Sequence, residues 1–152
     1  KSEMNRPKII GTRGESAVVR VAREMGFLDA ERLALSGAND QGDIRLCSSP
    51  LVILEVKSGK AAQDASWSQI QTWIKETMRE RDNAWRKWSN KQDDFHGFLV
   101  TQRRGYGVER AGEWCLWTLP DDPVAELELG VMAMFPLAGF LWMMKERWSY
   151  AV

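Results

Sequence analysis

The sequence predicts a mixed α/β (α+β) fold: a central mixed β-sheet flanked by helices and followed by a helical, apolar C-terminal tail. Three observations predict it. Two long stretches carry apolar residues at three- and four-residue steps, and four short stretches read as strands. The first two of those strands flank Ser48, Ser49 and Pro50, a hairpin signal that disfavours a purely parallel sheet. With 152 residues, 44% hydrophobic and 28% charged, the chain is long enough for a core of its own and ordinary enough for water.

Thr12 stands three residues before Glu15, a capping-box spacing, and Val18, Val19, Ala22 and Met25 recur at helical intervals up to Gly26. This predicts a first helix over about 13–25. DIRLC and LVILEV follow the loop SGANDQG, and the all-apolar second run suits a strand buried on both faces. Trp67, Ile70, Ile74, Met78, Trp85 and Trp88 mark a long amphipathic helix over about 65–89. FHGFLVTQ and EWCLWTL read as strands joined by the basic turn RRGYG. Asp122 and Pro123 suit the start of a C-terminal helical segment that Pro136 should break or kink.

The body of the domain is expected over 1–120 and the tail over 121–152, packed on the body or forming a dimer surface through Met132, Met134, Phe135, Phe140, Leu141, Trp142 and Met143. The uncharged run 129–144 is too short to span a bilayer, so no membrane is expected. No secretory signal is evident, and Cys47 and Cys115 offer neither metal-ligand spacing nor a disulfide framework, so a cytoplasmic setting is the simpler expectation. Most of the eight tryptophans are expected in the core, and His96 is expected to be structural.

The net charge is zero, with 21 basic and 21 acidic residues, which excludes a uniformly basic coat. Residues 1–120 hold 19 basic and 16 acidic side chains against 2 and 5 in residues 121–152, so the neutrality is an average over a basic body and an acidic tail. Lys75, Arg79, Arg81, Arg86 and Lys87, interleaved with Glu76, Glu80 and Asp82, are expected to form a solvated helix face.

Glu15, Asp43, Glu55 and Lys57 are the candidate catalytic residues. Glu55 and Lys57 interrupt an apolar strand, and a spacing of two puts them on one face. Asp43 and Glu55 lie symmetrically about Ser49, so an antiparallel hairpin brings the two carboxylates together. A divalent cation relieves their repulsion, and all-oxygen donors suit Mg²⁺ or Mn²⁺. Glu15 lies in the apolar stripe of the first helix, pointing at the sheet, or else completes the capping box with Thr12.

Gly42-Asp43, eleven residues, and then Glu55-Val56-Lys57, with Glu15 on the preceding helix, resemble the PD-(D/E)XK nuclease superfamily. Gly42 stands where many members carry proline. Gly11 to Glu15, Arg32, Ser36-Gly37, Glu55 to Ser58 and Gln69 are similar to the pattern of archaeal-type Holliday junction resolvases, over about 11–108. The resemblance implies a restriction-endonuclease-like core in which Asp43, Glu55 and the Val56 carbonyl hold Mg²⁺ or Mn²⁺, with Glu15 touching that ion through water or helping to hold a second. Lys57 would orient or deprotonate the attacking water, or offset charge on the phosphate. The implied activity is hydrolysis of DNA at four-way or other branched junctions by a homodimer, leaving a 5′-phosphate and a 3′-hydroxyl. A restriction-like or repair nuclease of the same fold and a non-catalytic DNA-binding module are the alternatives. DNA contacts are expected from Lys8, Arg13, Arg32, Ser36, Lys60, Gln69, Arg103 and Arg104.

Overall fold

The computed structural model describes residues 6–34, 40–88, 94–122 and 132–148, with the side chains of the first helix from residue 11. Helix α1 runs Arg6–Glu24, starting about two turns earlier than periodicity indicates, with Pro7 in its first turn, where a missing N–H costs nothing. Thr12 is therefore mid-helix, and no capping box forms around Glu15. After α1 the chain places β1 (Glu31–Arg32), β2 (Ile44–Ser48) and β3 (Leu51–Lys57), then a one-turn α2 (Lys60–Gln63) and the long α3 (Trp67–Trp88). Next come β4 (Phe95–Thr101), a 3-10 turn (Val108–Glu113), β5 (Cys115–Thr118), β6 (Met134–Pro136) and α4 (Leu137–Trp148).

These strands make one six-stranded mixed sheet in the order β1-β2-β3-β4-β5-β6. Only β3 and β4 are parallel, and α3 supplies the crossover that a parallel pair requires. The β2–β3 hairpin turns through Ser49 and Pro50 with a bulge between Arg45 and Cys47. Near the turn Cys47 pairs with Val52, but beyond the bulge Ile44 pairs with Leu54, one residue out of step. That slip sets the site described below.

Strand β3 is buried from Leu51 to Val56 and divides its side chains by parity. Val52, Leu54 and Val56 enter the main core with Val18, Val21 and Ala22 of α1, whereas Leu51 and Ile53 meet Ala84 of α3. The two helices thus cover opposite faces of the sheet. Ser66 caps α3, its hydroxyl accepting from the Gln69 N–H at 3.1 Å.

Three C-terminal features bear on the expectations. Pro136 ends the edge strand β6, which pairs with β5, so it neither breaks nor kinks a helix. The carboxylate of Asp122 meets His96 Nδ1 at 2.6 Å and accepts from the Gly97 N–H at 3.2 Å, while the helical segment expected to start at Pro123 lies outside the described residues. Leu137, Phe140, Leu141, Met144 and Trp148 pack in the main core beside α1, leaving Met134 and Trp142 as the exposed large apolar residues of β6 and α4. Trp114 and Trp148 are buried, but Trp67, Trp88 and Trp142 are exposed, so the tryptophans divide between core and surface. Among the described residues no helix is long and apolar enough to cross a membrane.

Candidate active site

The functional side chains gather at the end of β3. Glu55 and Lys57 share the parity of Ile53 and so face α3. Without the bulge, continuation of the Cys47–Val52 pairing would put Asp43 opposite Val56. The one-residue slip brings it beside Glu55 instead, and the two carboxyl groups touch. Asp43 is fixed from behind: its N–H donates to Leu54 O at 3.0 Å, and its Oδ2 accepts the Val56 N–H at 2.8 Å.

The preceding residue departs from the resemblance in more than side chain. Gly42 has φ of 95°, and a Cβ there would lie 3.1 Å from Ile53 Cδ1. Proline, locked near −65°, cannot adopt this backbone. The chain therefore enters Asp43 by a different path from the one a Pro-Asp motif dictates.

Two residues of α3 complete the cluster. Lys57 Nζ lies 3.4 Å from Glu55 and 3.3 Å from Glu76, above the Trp73 ring at 5.7 Å. Glu80, one turn beyond Glu76, touches Glu55. Two residues of strand advance about 6.7 Å and four of helix about 6 Å, so Lys57 and Glu55 align with Glu76 and Glu80. Glu80 is 5% exposed and does not belong to a solvated face, and nor does Arg81, which grips Asp121 through two hydrogen bonds at 2.7 and 2.8 Å and also bonds Asp82. Lys75, Arg79, Arg86 and Lys87 are exposed as expected. The sequence carries both an E-x-K strand and an E-x-x-x-E helix face, but it is the docking of α3 on β3 that brings Glu76 and Glu80 to them.

Burial dominates the electrostatics. Desolvation, with Glu55 and then Glu15 adding repulsion, pushes the Asp43 carboxyl up to about 9. Burial, reinforced by Glu80, raises Glu55 to about 8, and burial raises Glu80 to about 7. Burial alone would depress the Lys57 ammonium, but Glu55 and Glu76 outweigh it and hold its pKa above the ordinary value. Lys57 is thus a fixed cation at neutral pH.

The carboxylates suit a divalent cation on two grounds. Every donor is an oxygen, and Glu55 Oε1 is buried without a hydrogen-bond partner. Among the described residues no group of three or more His, Cys, Asp or Glu side chains is already spaced as a metal cage. Mg²⁺ does not require one, since it commonly takes one or two carboxylates and keeps several waters.

The remaining candidates lie outside this cluster. Glu15 comes from α1, on the other face, where it accepts from Arg32 Nε at 3.1 Å and reaches Asp43 only through its field. Close packing holds α1 here: a Cβ on Gly14 would sit 2.3 Å from Ser58 Oγ, whereas Gly11, the glycine of the resemblance, has open space around it. A cavity of about 620 Å³ runs along α1 between Ser16, Val19, Arg20, Arg23, Glu24 and Arg32, beside Glu15 and away from the carboxylate cluster. Its Arg20 and Arg23 were not among the sequence candidates. Arg13, Lys60, Gln69, Arg103 and Arg104 are exposed. Lys60 and Arg104 both pair with Asp64, and Arg103 lies over the Tyr106 ring at 4.9 Å. Gln69 shares the stripe of Trp73, Glu76 and Glu80 at the start of α3. Ser36 and the side chain of Lys8 lie outside the described residues.

No protein-family model, curated protein or solved structure matches the chain.

Proposed function

We propose that the chain is a Mg²⁺- or Mn²⁺-dependent endodeoxyribonuclease of the PD-(D/E)XK type that hydrolyses phosphodiesters in branched DNA, four-way junctions foremost. The observation that carries the reading is the contact of Asp43 and Glu55 at the end of β3, with Lys57 on the same face and an unpartnered oxygen between neighbours of like charge. Carboxylates held this close, with one anchored by the Val56 N–H, constitute a cost to folding that binding chemistry explains.

In this reading Asp43, Glu55 and the Val56 carbonyl hold the cation, which when bound supplies Lewis acidity and a polarised water. Lys57 stays charged, so its part is to orient the attacking water or to offset charge growing on the phosphate; deprotonating the water does not fit its raised pKa. Glu76 holds the ammonium in place at 3.3 Å. Glu15, clasped by Arg32, adds negative field from the α1 side, and the arginine-lined cavity beside it offers backbone phosphates a second contact surface away from the carboxylates. Resolving a four-way junction takes two symmetric cuts, so the reading carries a homodimer with it.

The test is cleavage of a labelled four-way junction and of a linear duplex of the same sequence, with Mg²⁺ and with EDTA. Junction cutting that needs Mg²⁺, that Asp43→Asn and Glu55→Gln abolish, and that leaves junction binding intact supports the proposal. Equal cutting of the duplex would replace it with a restriction-like nuclease. Binding without cutting by the wild type would leave a DNA-binding module.

A further inference from the structure

Glu80 has no established part in the chemistry just described, and its surroundings do not explain it as a packing residue. It is 5% exposed, and its Oε2 is buried without a hydrogen-bond partner, as is Oε1 of Glu55 beside it. Burying a carboxylate unpaired is among the costlier things a fold can do. The nearby cations are already engaged: Lys57 lies between Glu55 and Glu76, and Arg81 is taken by Asp82 and Asp121. Asp43, Glu55 and Glu80 instead form a row in which the middle carboxyl touches both others. Two of its oxygens have no partner, and two of its members are 95% or so buried.

We propose that Glu80 is a third carboxylate ligand of the cation site, so that Asp43 from the hairpin, Glu55 from β3 and Glu80 from α3 together bind a hard divalent cation. The row is not a closed cage, and cation binding turns the unpartnered oxygens from their neighbours toward the ion. A third anionic oxygen strengthens binding of an ion that accepts carboxylates readily, such as Mn²⁺, and it ties α3 to the hairpin through the metal. The inference rests on Asp43 and Glu55 being cation ligands. It does not depend on which DNA is cut.

The experiment measures Mn²⁺ binding to the purified full chain without DNA, by electron paramagnetic resonance of free Mn²⁺ and by calorimetry. The variants are Glu80→Gln, Glu80→Asp and, as a charge-matched surface control, Glu146→Gln on α4. The expected result is a loss of about 10- to 100-fold in affinity for Glu80→Gln, partial recovery for Glu80→Asp and none of this loss for Glu146→Gln. Circular dichroism and thermal melting in EDTA establish that each variant is folded. Wild-type affinity in a folded Glu80→Gln protein overturns the role of Glu80 while leaving the Asp43–Glu55 site standing. Absence of Mn²⁺ binding by the wild type overturns both.

Discussion

Replacing Glu55 by glutamine should stabilise the metal-free protein while removing the proposed nuclease activity. The folded state raises the Glu55 carboxyl from 4.5 to about 8. A carboxylate whose pKa is higher in the folded state gives stability that is full below the unfolded value and is lost as pH rises through the folded one. Each pH unit in that window is worth about 1.4 kcal/mol, so by pH 7 the loss from Glu55 amounts to roughly 3 kcal/mol. Glutamine keeps the shape and does not titrate. The lost contact with Lys57 offsets part of the gain, since that ammonium retains Glu76. For a chain of this length 3 kcal/mol corresponds to about 6–12 °C in Tm. Thermal melts in EDTA between about pH 5 and pH 8 should show wild-type Tm falling with pH and the Glu55→Gln curve falling less and ending higher. Parallel curves, or a variant less stable than wild type at the alkaline end, would refute the claim that burial and repulsion dominate this carboxyl.

Three further outcomes follow from packing and backbone. Gly14→Ala drives a Cβ to within 2.3 Å of Ser58 Oγ and 2.6 Å of its Cβ, and should cost about 1–3 kcal/mol in urea unfolding, relieved by adding Ser58→Gly. Gly42→Pro, which restores the residue common in the resembling nucleases, should lower stability by more than about 1 kcal/mol and reduce cation affinity, because φ of 95° is closed to it. Asp122→Ala strips His96 and the Gly97 N–H of a buried partner, and a lowered urea midpoint worth about 1–3 kcal/mol per orphaned group is expected with cleavage chemistry unaffected.

The sequence made part of this site legible and hid the rest for physical reasons. Asp43, Glu55 and Lys57 could be read because strand parity and hairpin symmetry are local rules that need only a count of residues. Glu80 could not, since four-residue spacing of charge on a helix looks alike whether the face meets water or a sheet. Only the docking of α3 against β3 distinguishes the two. Thr12 and Glu15 misled in the opposite direction: their spacing matches a cap, but α1 begins upstream at Arg6 and carries both in its interior. The mixed sheet was readable from the hairpin and the long crossover helix, whereas β1 and β6, of two and three residues, are held by their neighbours and have no pattern of their own. Asp122 precedes Pro123 and so suits a helix start, and its contact with His96, 26 residues away, is tertiary and left no mark in the local pattern.

The bulge between Arg45 and Cys47 makes the centre sensitive to counting as well as to chemistry. Deleting the bulged Leu46 would leave Asp43 beside Glu55, because Arg45 on Ile53 would then follow Cys47 on Val52 in an unbroken ladder. Adding a residue between Asp43 and the bulge, without altering any acidic group, would instead carry Asp43 past Glu55 and set it against Val56. Substitutions in β2 can therefore be absorbed one at a time, but an added residue exchanges one partner for another, and the hairpin's residue count is as much a part of the site as the carboxylates it aligns.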